Sequence, residues 1–381
     1  MRIVVAPQEY KGTLTAREAA EAMTEGARRA VGDATIGQIP LSDGGPGLVE
    51  AILPSEGGRP RRALVEDPLG RLIEAQWALL ADGTAVIESA AAAGLGLLRE
   101  DERDPRTATT YGVGQLMLAA LDERCERIIV GLGGSATNDG GAGMAAAFGA
   151  RFMDGSGETL PPGGAALAQL ERIDASELDS RMPQVSVVAA TDVRNPLCGP
   201  EGASLVYSPQ KGASPEVARE LDAALRHYAD IVERDMGIPV LISPGAGAAG
   251  GLGAGLIAFA RAKVQPGFEV VAAALGLRER IRGADLLLTG EGCLDGQSGY
   301  GKTVAGLARM AAESGVPVLV VPGTLGPGWE TILPYVGGVE PIVGDTATVE
   351  DATARPAITL ALAVERAVRG WMGAKEMSRE R

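Results

Sequence analysis

The amino-acid sequence predicts an α/β protein that is divided into two domains. At both ends of the chain, short apolar runs with the character of buried strands alternate with amphipathic stretches of helical period. Strands are predicted at 2–6, 34–40, 285–289 and 316–322, and helices at 15–30, 303–314 and 349–369. This alternation is typical of parallel sheets whose strands are joined by helical crossovers.

The middle of the chain has a different texture, because strand-like runs follow one another there with little helix between them. These runs lie near 61–66, 73–80 and 84–88. The change predicts a mixed α/β domain at 63–261, inserted into a discontinuous domain formed by 1–62 and 262–381. A length of 381 residues, of which 46% are hydrophobic and 22% charged, is sufficient for two ordinary globular domains.

The charge and the composition exclude several classes of function. The net charge of −14 argues against a surface for nucleic acid or anionic membrane, since both require a basic footprint. Aromatic residues make up only 3%, too few for base-stacking platforms. The chain begins directly in a strand-like run, and its longest weakly polar run, 244–260, is too short to span a bilayer. We therefore expect a cytoplasmic enzyme that acts on small molecules, and the sequence leaves open whether it is a homo-oligomer.

The scarcity of cysteine and histidine limits the kinds of catalytic and metal site that the chain can form. The chain has three cysteines, which are far apart in sequence, and one histidine, His227, which falls in an amphipathic stretch predicted to be helical. A disulfide framework, a cysteine metal site and a histidine-based triad are therefore disfavoured. A general base, if the protein has one, is expected to be a carboxylate.

Lysine is also scarce, and three lysines stand next to glycine. These are Lys11, Lys211 and Lys302. A compact ammonium group beside a bare backbone suits a phosphate or a carboxylate ligand. Because glycine is abundant, with 54 residues, chance is a fair alternative explanation.

The stretch 296–303 matches the complete phosphate-loop pattern G-x-x-x-x-G-K-[ST]. A helix follows it, but the preceding predicted strand ends at Thr289, several residues too early, and no second acidic strand follows. The sequence therefore favours a looser anion site, in which Gly301 and Lys302 lie at the start of a helix. The alternative is a solvent-exposed loop that matches the pattern by chance.

A second glycine pattern, at 245–250, resembles a dinucleotide fingerprint. It follows a strand-like run at 239–243, and Glu269 stands about 20 residues further on, where an acidic ribose ligand is expected. Glu269 does not end a second buried strand, so glycines that permit close helix packing are the favoured interpretation. A nicotinamide-dependent dehydrogenase remains the rival hypothesis.

The richest motif follows the predicted strand at 128–130. There the backbone turns at Gly133 and Gly134, Ser135 and Asn138 can donate hydrogen bonds, and Asp139 can accept them before an Ala-rich helix begins. Such a loop can hold an anion while it places a carboxylate nearby. The alternative is an ordinary turn in which Asp139 caps the helix.

Further carboxylates follow strands or glycines in loops. Asp43 and Asp192 each follow a predicted buried strand, and Glu291 and Asp295 follow the strand that ends at Thr289. In open parallel sheets, ligands gather at the carboxyl ends of the strands. Grouped carboxylates can bind a divalent metal or deprotonate a hydroxyl, although each one alone could be a cap or turn residue.

At these residues the chain resembles the type 1 glycerate kinase family. The resemblance is carried by ordered motifs that run almost from end to end. They are Ala6-Pro-Gln-Glu-Tyr-Lys11-Gly-Thr-Leu-Thr-Ala, Ser42-Asp43-Gly-Gly, Gly133-Gly-Ser-Ala-Thr-Asn-Asp139-Gly-Gly, Thr191-Asp192-Val-Arg-Asn-Pro-Leu, Gln210-Lys211-Gly-Ala, Gly245-Ala-Gly-Ala-Ala-Gly-Gly and Thr289-Gly-Glu291-Gly-x-Leu-Asp295-x-Gln-Ser-x-x-Gly-Lys302.

The resemblance implies two α/β domains, the first discontinuous and Rossmann-like, with the active site in a cleft between them. It implies transfer of the γ-phosphoryl group of ATP to D-glycerate with Mg²⁺, and 2-phosphoglycerate is the favoured product. The implied roles are catalysis by Asp192, Asp43 and Lys11, substrate or phosphate binding by Gly133, Gly134, Ser135, Asn138, Asp139, Lys211, Gly301 and Lys302, and metal binding by Glu291 and Asp295. Either Asp192 or Asp43 is expected to be the base. A non-catalytic metabolite-binding protein is a further alternative.

The chain departs from the family's usual pattern at a few positions. Gln8-Glu9-Tyr10 stands where the family often has Asp-Ser-Phe, Pro46 where it often has Glu, and Cys293 where it often has Arg. The first two departures lie near the expected substrate end. The identity of the acceptor is therefore less constrained by the resemblance than phosphoryl transfer is.

Overall fold

The computed structural model describes residues 1–53, 57–296, 303–344 and 347–379. Its contacts divide the chain into two compact units. The first unit comprises Met1–Asp43 and Gly267–Arg381, and the second unit comprises Gly44–Pro266. Residues 44–62 fall in the second unit here because the strand at Arg59–Glu66 pairs with its neighbours in that unit. The domain boundaries at 62/63 and 261/262 stay predictions.

The bounds of the regular elements are as follows. The strands are β1 (Arg2–Val5), β2 (Thr35–Gln38), β3 (Arg59–Glu66), β4 (Leu72–Leu79), β5 (Thr84–Glu88), β6 (Arg127–Gly131), β7 (Arg151–Met153), β8 (Arg172–Asp174), β9 (Ser186–Ala190), β10 (Lys263–Gln265), β11 (Leu286–Thr289), β12 (Cys293–Leu294), β13 (Val318–Val320), β14 (Thr324–Leu325) and β15 (Gly338–Val339). The α-helices are α1 (Ala16–Ala30), α2 (Leu48–Ile52), α3 (Ala90–Ala93), α4 (Tyr111–Asp122), α5 (Ala142–Ala147), α6 (Ala203–Tyr207), α7 (Pro215–Met236), α8 (Leu252–Ala260), α9 (Gly267–Ala274), α10 (Leu277–Ile281), α11 (Thr303–Glu313), α12 (Val349–Ala354) and α13 (Pro356–Arg379).

The first unit is built on a five-stranded sheet with the order β15-β13-β11-β1-β2, in which every pairing is parallel. The inner strands β1, β11 and β13 are short, mostly apolar and buried, as expected of strands that helices cover on both faces, whereas the edge strand β2 is largely exposed. The predicted parallel sheet with helical crossovers is confirmed. If these five strands are numbered 1 to 5 in their order along the chain, their order across the sheet is 2-1-3-4-5. This is a doubly wound arrangement, and its switch point lies between β1 and β11.

Helices α1 and α13 pack together over one face of this sheet. Helix α1 begins at a capping box, in which the Thr15 hydroxyl accepts from the Glu18 backbone and the Glu18 carboxylate accepts from Thr15. Its buried face joins Ile3, Leu288 and Val364 in one hydrophobic cluster. A single helix over 349–369 was predicted, and this was wrong. The helix is interrupted at Arg355, because Pro356 disfavours helical geometry at the residue before it.

The second unit contains a six-stranded mixed sheet with the order β10-β9-β6-β5-β4-β3. Neighbouring strands from β10 to β5 pair in parallel, whereas β5 pairs antiparallel with β4, and β4 pairs antiparallel with β3. The mixed character predicted for this region is confirmed. A core that includes Trp77, Leu116 and Ile128 packs against the sheet. His227 lies in helix α7, as predicted. The Nε2 atom of His227 lies 2.6 Å from the carbonyl oxygen of Leu170.

The glycine pattern at 245–250 serves backbone packing. Residues 239–243 form no strand, and Glu269 lies inside α9. A Cβ on Gly247 would lie 2.2 Å from the Pro196 carbonyl oxygen, and one on Gly250 would lie 1.9 Å from that of Thr137. The strand that a dinucleotide fingerprint requires is therefore missing from this described stretch, which removes the structural support for the dehydrogenase hypothesis. Within the described residues, no helix is long and apolar enough to cross a membrane.

We expect Gly26→Ala to destabilise the first unit. The new Cβ would lie 2.2 Å from the carbonyl oxygen of Ala361 on α13, so the two helices must separate. We expect a loss of about 1–3 kcal/mol in the free energy of unfolding, although alanine raises helix propensity by about 1 kcal/mol. Urea denaturation measures the change. Gly32→Ala, where a Cβ meets nothing within 4 Å, is the matched control. Equal effects of the two substitutions would contradict close packing at Gly26.

Candidate active site

Three segments of the first unit continue side by side beyond the carboxyl edge of its sheet. After β1, the backbone amide of Gln8 donates to the Gly290 carbonyl at 2.9 Å, and the amide of Leu41, after β2, donates to the Pro7 carbonyl at 2.9 Å. These hydrogen bonds bring the residues after β1, β2 and β11 together at the switch point. In doubly wound sheets this is the position where ligands bind.

A cavity of about 380 Å³ lies at this edge, which we call the first-unit cavity. Its lining consists of Gln8, Glu9, Lys11, Asp43, Glu291, Gly292, Cys293 and Asp295. The structure thus brings together Lys11, Asp43, Glu291 and Asp295, which come from three separate motifs of the sequence. Gln8 and Glu9, which entered the sequence analysis only as departures from a family pattern, line the same cavity.

Among its described lining residues, the first-unit cavity combines several carboxylates with the ammonium group of Lys11. Burial raises the pKa of Glu9, the charge of Lys11 opposes this shift, and the charge of Asp43 adds to it. Carboxylate oxygens are hard donors that suit Mg²⁺, which usually binds through one or two carboxylates, waters and substrate phosphates. Among the described residues, no group of three or more His, Cys, Asp or Glu side chains is arranged to enclose a metal. The donor set therefore fits a magnesium ion that is only partly coordinated by protein.

Tyr10 is buried in the core next to the first-unit cavity. It is 3% exposed, and its hydroxyl donates to the carbonyl of Val321. Burial raises the pKa of Tyr10 well above its ordinary value, and the nearby charge of Glu291 raises it further. This residue therefore anchors the segment that carries Glu9 and Lys11 through a buried hydrogen bond.

Only the first and last residues of the phosphate-loop pattern, Gly296 and Thr303, lie in the described part of the chain. Residues 297–302, and with them the predicted phosphate-binding residues Gly301 and Lys302, lie outside the described part of the chain. Thr303 begins α11 and is fully buried, and its hydroxyl has no hydrogen-bond partner among the described residues. Before the pattern, the main-sheet strand β11 ends at Thr289, and the short strand β12 that follows it pairs with β14 in a separate two-stranded sheet. In phosphate-loop proteins a strand of the main sheet leads directly into the loop, and that arrangement is not found here.

In the second unit, two glycine motifs lie against each other. A Cβ on Gly131 would lie 2.2 Å from the Gly44 carbonyl oxygen, and one on Gly133 would lie 3.0 Å from the Cα of Gly45. Pro46 covers Gly134, which has a positive φ of 62°. Side chains at Gly131 and Gly133 would separate the two motifs, so bare backbone is required where they meet.

Glu88 fixes this arrangement, although it belongs to none of the motifs that stand out in the sequence. It is the last residue of β5, and its carboxylate accepts a hydrogen bond of 2.8 Å from the amide of Val49 as well as bonds from Gly47 and Leu48. Burial raises the pKa of Glu88, and these backbone bonds oppose the shift. The strand-end position that drew attention to Asp43 and Asp192 could have identified Glu88 too.

Asp139 is the centre of a buried hydrogen-bond network. It is 1% exposed and accepts bonds from the Thr110 amide at 2.8 Å, the Gly141 amide at 3.1 Å and the Gly143 amide at 3.2 Å. The Thr110 hydroxyl donates to it as well, at 2.9 Å. Burial raises the pKa of Asp139, and these hydrogen bonds oppose the shift. The carboxylate therefore ties the start of α4 to the start of α5.

Lys211 lies inside the same region. It is 2% exposed, and its Nζ donates to the Ser135 hydroxyl at 3.0 Å and to the Thr137 carbonyl at 2.6 Å. Burial lowers the pKa of Lys211 to about 7, and the charge of Asp139 opposes this shift. The ammonium group thus holds the loop that follows β6 from within.

The other predicted residues of the second unit are placed as follows. Asn138 is fully buried, and its Nδ2 donates to the Ser204 hydroxyl at 2.8 Å, while its Oδ1 has no hydrogen-bond partner among the described residues. Asp192 is half-buried and follows β9 directly after Thr191. The two candidate bases therefore belong to different units, Asp43 to the first and Asp192 to the second.

The buried lysine predicts a pH-dependent contribution to stability. Between its folded pKa of about 7 and its ordinary value of 10.5, the unfolded chain binds a proton that the folded chain does not. The free energy of unfolding of the wild type, relative to Lys211→Met, should therefore rise with pH in this window, by up to about 1.4 kcal/mol per pH unit. Below the folded pKa both states are charged, and the burial penalty is fully present.

Urea denaturation of both proteins at about pH 6.5 and about pH 9 measures this linkage. Lys375→Met serves as the control, because that exposed lysine lies over the Trp371 ring near the C-terminus. A constant difference between wild type and Lys211→Met across the window would show that Lys211 keeps its proton in the folded protein.

We expect Asp139→Asn to destabilise the second unit. The Asn side chain has an NH₂ group in place of one carboxylate oxygen. Because the backbone N–H groups around it are also donors, at least one of them is left without an acceptor in a buried site. The expected loss is about 1–3 kcal/mol of the free energy of unfolding. Asp101→Asn, at a carboxylate whose side chain is 75% exposed, should change it little. Unchanged thermal unfolding of Asp139→Asn would contradict the importance of the network.

Comparisons with known proteins converge on one family. The model of the glycerate kinase family matches residues 3–372. A glycerate kinase of Halalkalibacterium halodurans is 48% identical over 334 residues, covering 87% of this chain and 88% of the relative. A glycerate 2-kinase of Escherichia coli is 45% identical over 326 residues, covering 85% of this chain and 86% of the relative.

A solved structure agrees with these matches. The crystal structure of a Salmonella typhimurium LT2 protein, provisionally named glycerate kinase 2, superposes with a TM-score of 0.82 at 40% identity. The match covers 98% of this chain and 99% of the other. The resemblance first drawn from the motifs is thereby confirmed over nearly the whole length. The chain belongs to the glycerate kinase family.

Proposed function

We propose that the protein transfers the γ-phosphoryl group of ATP to a hydroxyl group of D-glycerate. The observation that carries this proposal is the first-unit cavity, where carboxylates and Lys11 meet at the switch point of a parallel sheet in a chain of this family. Phosphoryl transfer depends on positioning and on neutralising charge more than on covalent chemistry. A cavity whose described lining joins carboxylates to the ammonium group of Lys11 suits a metal–nucleotide complex.

The residues of the first-unit cavity divide these tasks. Lys11 offsets phosphate charge, and Glu291 and Asp295 hold Mg²⁺. When bound, the ion supplies charge neutralisation on the phosphate oxygens. Asp43 is one candidate for the base that accepts the proton of the substrate hydroxyl. The predicted roles of Gly301 and Lys302 in phosphate binding stay proposals about residues outside the described part of the chain.

The second unit contributes the other candidate base and a rigid loop. Asp192 follows β9 at the same sheet edge as the loop after β6, since their strands are parallel. Gly133, Gly134, Ser135 and Asn138 are proposed to orient substrate or phosphate. For Asp139 and Lys211 we propose positioning roles, because their polar atoms already bind Thr110, Gly141, Ser135 and Thr137. This changes their expected role from direct binding to support of the loop.

The favoured product is 2-phosphoglycerate. Support comes from the E. coli relative, which carries the name glycerate 2-kinase. Phosphorus NMR of the product distinguishes the two isomers, and a 3-phosphoglycerate signal would refute this choice. The cytoplasmic location stays a prediction.

A coupled assay of ADP release tests the proposed reaction. We expect ADP release with Mg²⁺-ATP to depend on D-glycerate, and ADP release that glycerate does not stimulate would refute the proposed function. Asp43→Asn and Asp192→Asn are each predicted to lower kcat, and the substitution that removes the base should lower it by about 10²–10⁴-fold. Asp101→Asn, at an exposed carboxylate, is the control. A protein that binds glycerate with unchanged affinity in both variants and shows no turnover would instead be a metabolite-binding protein.

A further inference from the structure

A second, smaller cavity adjoins the first-unit cavity. Its volume is about 130 Å³, and it shares Lys11 and Gly292 with its larger neighbour. Most of its remaining wall is aliphatic, and we call it the apolar slot. The aliphatic lining residues are Leu14, Ile342, Val343, Val349, Ala352 and Pro356.

Gly292 lines both cavities, and the backbone of Gly323 and Thr324 is hydrogen-bonded beside it. Gly323 donates from its amide to the Glu291 carbonyl at 2.9 Å, and Thr324 donates to the Gly292 carbonyl at 3.0 Å. A Cβ on Gly323 would lie 2.4 Å from the Gly292 oxygen. Glycine at 323 therefore lets the segments that lead into β12 and β14 approach closely beside Gly292, which lines both the polar cavity and the apolar slot.

We propose that the apolar slot binds the base of the nucleoside triphosphate while its phosphates extend into the first-unit cavity past Lys11. This inference rests on the proposed function, and it locates the base, which that function leaves unassigned. A nucleotide is itself divided into an apolar planar ring and an anionic chain. The two cavities that share Lys11 divide in the same way, since one has mainly aliphatic walls and the other has carboxylates that suit Mg²⁺.

A larger apolar cavity in the second unit is the competing location. It measures about 690 Å³ and is lined by Tyr111 and Phe152 among others. Its only charged lining residue is Glu66, so this described wall offers no cation to a triphosphate. The presence of Lys11 at the mouth of the apolar slot therefore decides in favour of the first unit.

Filling the slot tests the proposal. Ala352 is a half-buried lining residue of α12, and Ala352→Phe would occupy the space of a base. Ala354→Phe, at an exposed position of the same helix that does not line the slot, is the matched control. The probes are ATP and inorganic tripolyphosphate, both measured by calorimetry in magnesium buffer. Tripolyphosphate has the anionic chain but no base.

We expect Ala352→Phe to weaken ATP binding at least about tenfold, because the base loses its apolar contacts. Tripolyphosphate binding should stay within about twofold, because the polar cavity is unchanged. Ala354→Phe should leave both probes unaffected. Unchanged ATP affinity in Ala352→Phe, or an equal loss for both probes, would overturn the proposal.

Photolabelling of the wild type with 8-azido-ATP gives a second measurement that does not depend on the fold of a variant. Labelled peptides from residues 342–356 would support the slot, whereas labels on Tyr111 or Phe152 would overturn it. The outcomes also separate the two proposals. ATP that binds in the slot while ADP release ignores glycerate contradicts the proposed function alone, and glycerate-dependent ADP release with labels elsewhere contradicts the slot alone.

Discussion

Close approach of bare backbone is the constraint on which both units depend. In the first unit, Gly26 brings α1 against α13, and Gly323 brings β14 against Gly292. In the second unit, Gly131 meets Gly44, and Gly250 meets the Thr137 carbonyl. Each contact leaves less room than one methyl group. Part of the high glycine content is therefore a packing requirement, and the glycine pattern at 245–250 that resembles a dinucleotide fingerprint is a result of it.

Hydrogen bonds from two buried charged side chains stabilise the loops that close backbone packing has brought together. Asp139 and Lys211 are both almost completely buried, a state that is costly for charged groups unless they are hydrogen-bonded. Their bonds go to the backbone and hydroxyl groups of the loops around them, and the charge of Asp139 partly offsets the effect of burial on Lys211. The resulting rigidity matters for a phosphotransferase, in which the reacting groups must be held in place before the reaction.

Much of the fold was predictable from the sequence, because the period of apolar residues and the alternation of strands with helices are local properties. Strand-end carboxylates such as Asp43 and Glu291 were also found in this way, since parallel strands send their carboxyl ends to one edge. The grouping of Glu9 with Asp43 was not predictable, because it depends on which strands are neighbours in the sheet. The burial of Lys211 and Asp139 was missed for a related reason. A charged residue in a glycine-rich loop looks exposed until the segments that cover it are known.

The order of the chain has a consequence for synthesis. Strand β1 lies between β2 and β11 in the sheet, and β11 follows the whole second unit in the sequence. On the ribosome, β1 and β2 emerge first but lack β11 until the entire second unit has been made. Contacts so distant in sequence close large loops and form slowly. The residues around Lys11 and Asp43 can therefore meet Glu291 only after the second unit has been translated, so the first-unit cavity is completed after that unit has been made, although Lys11 and Asp43 precede the unit in the sequence.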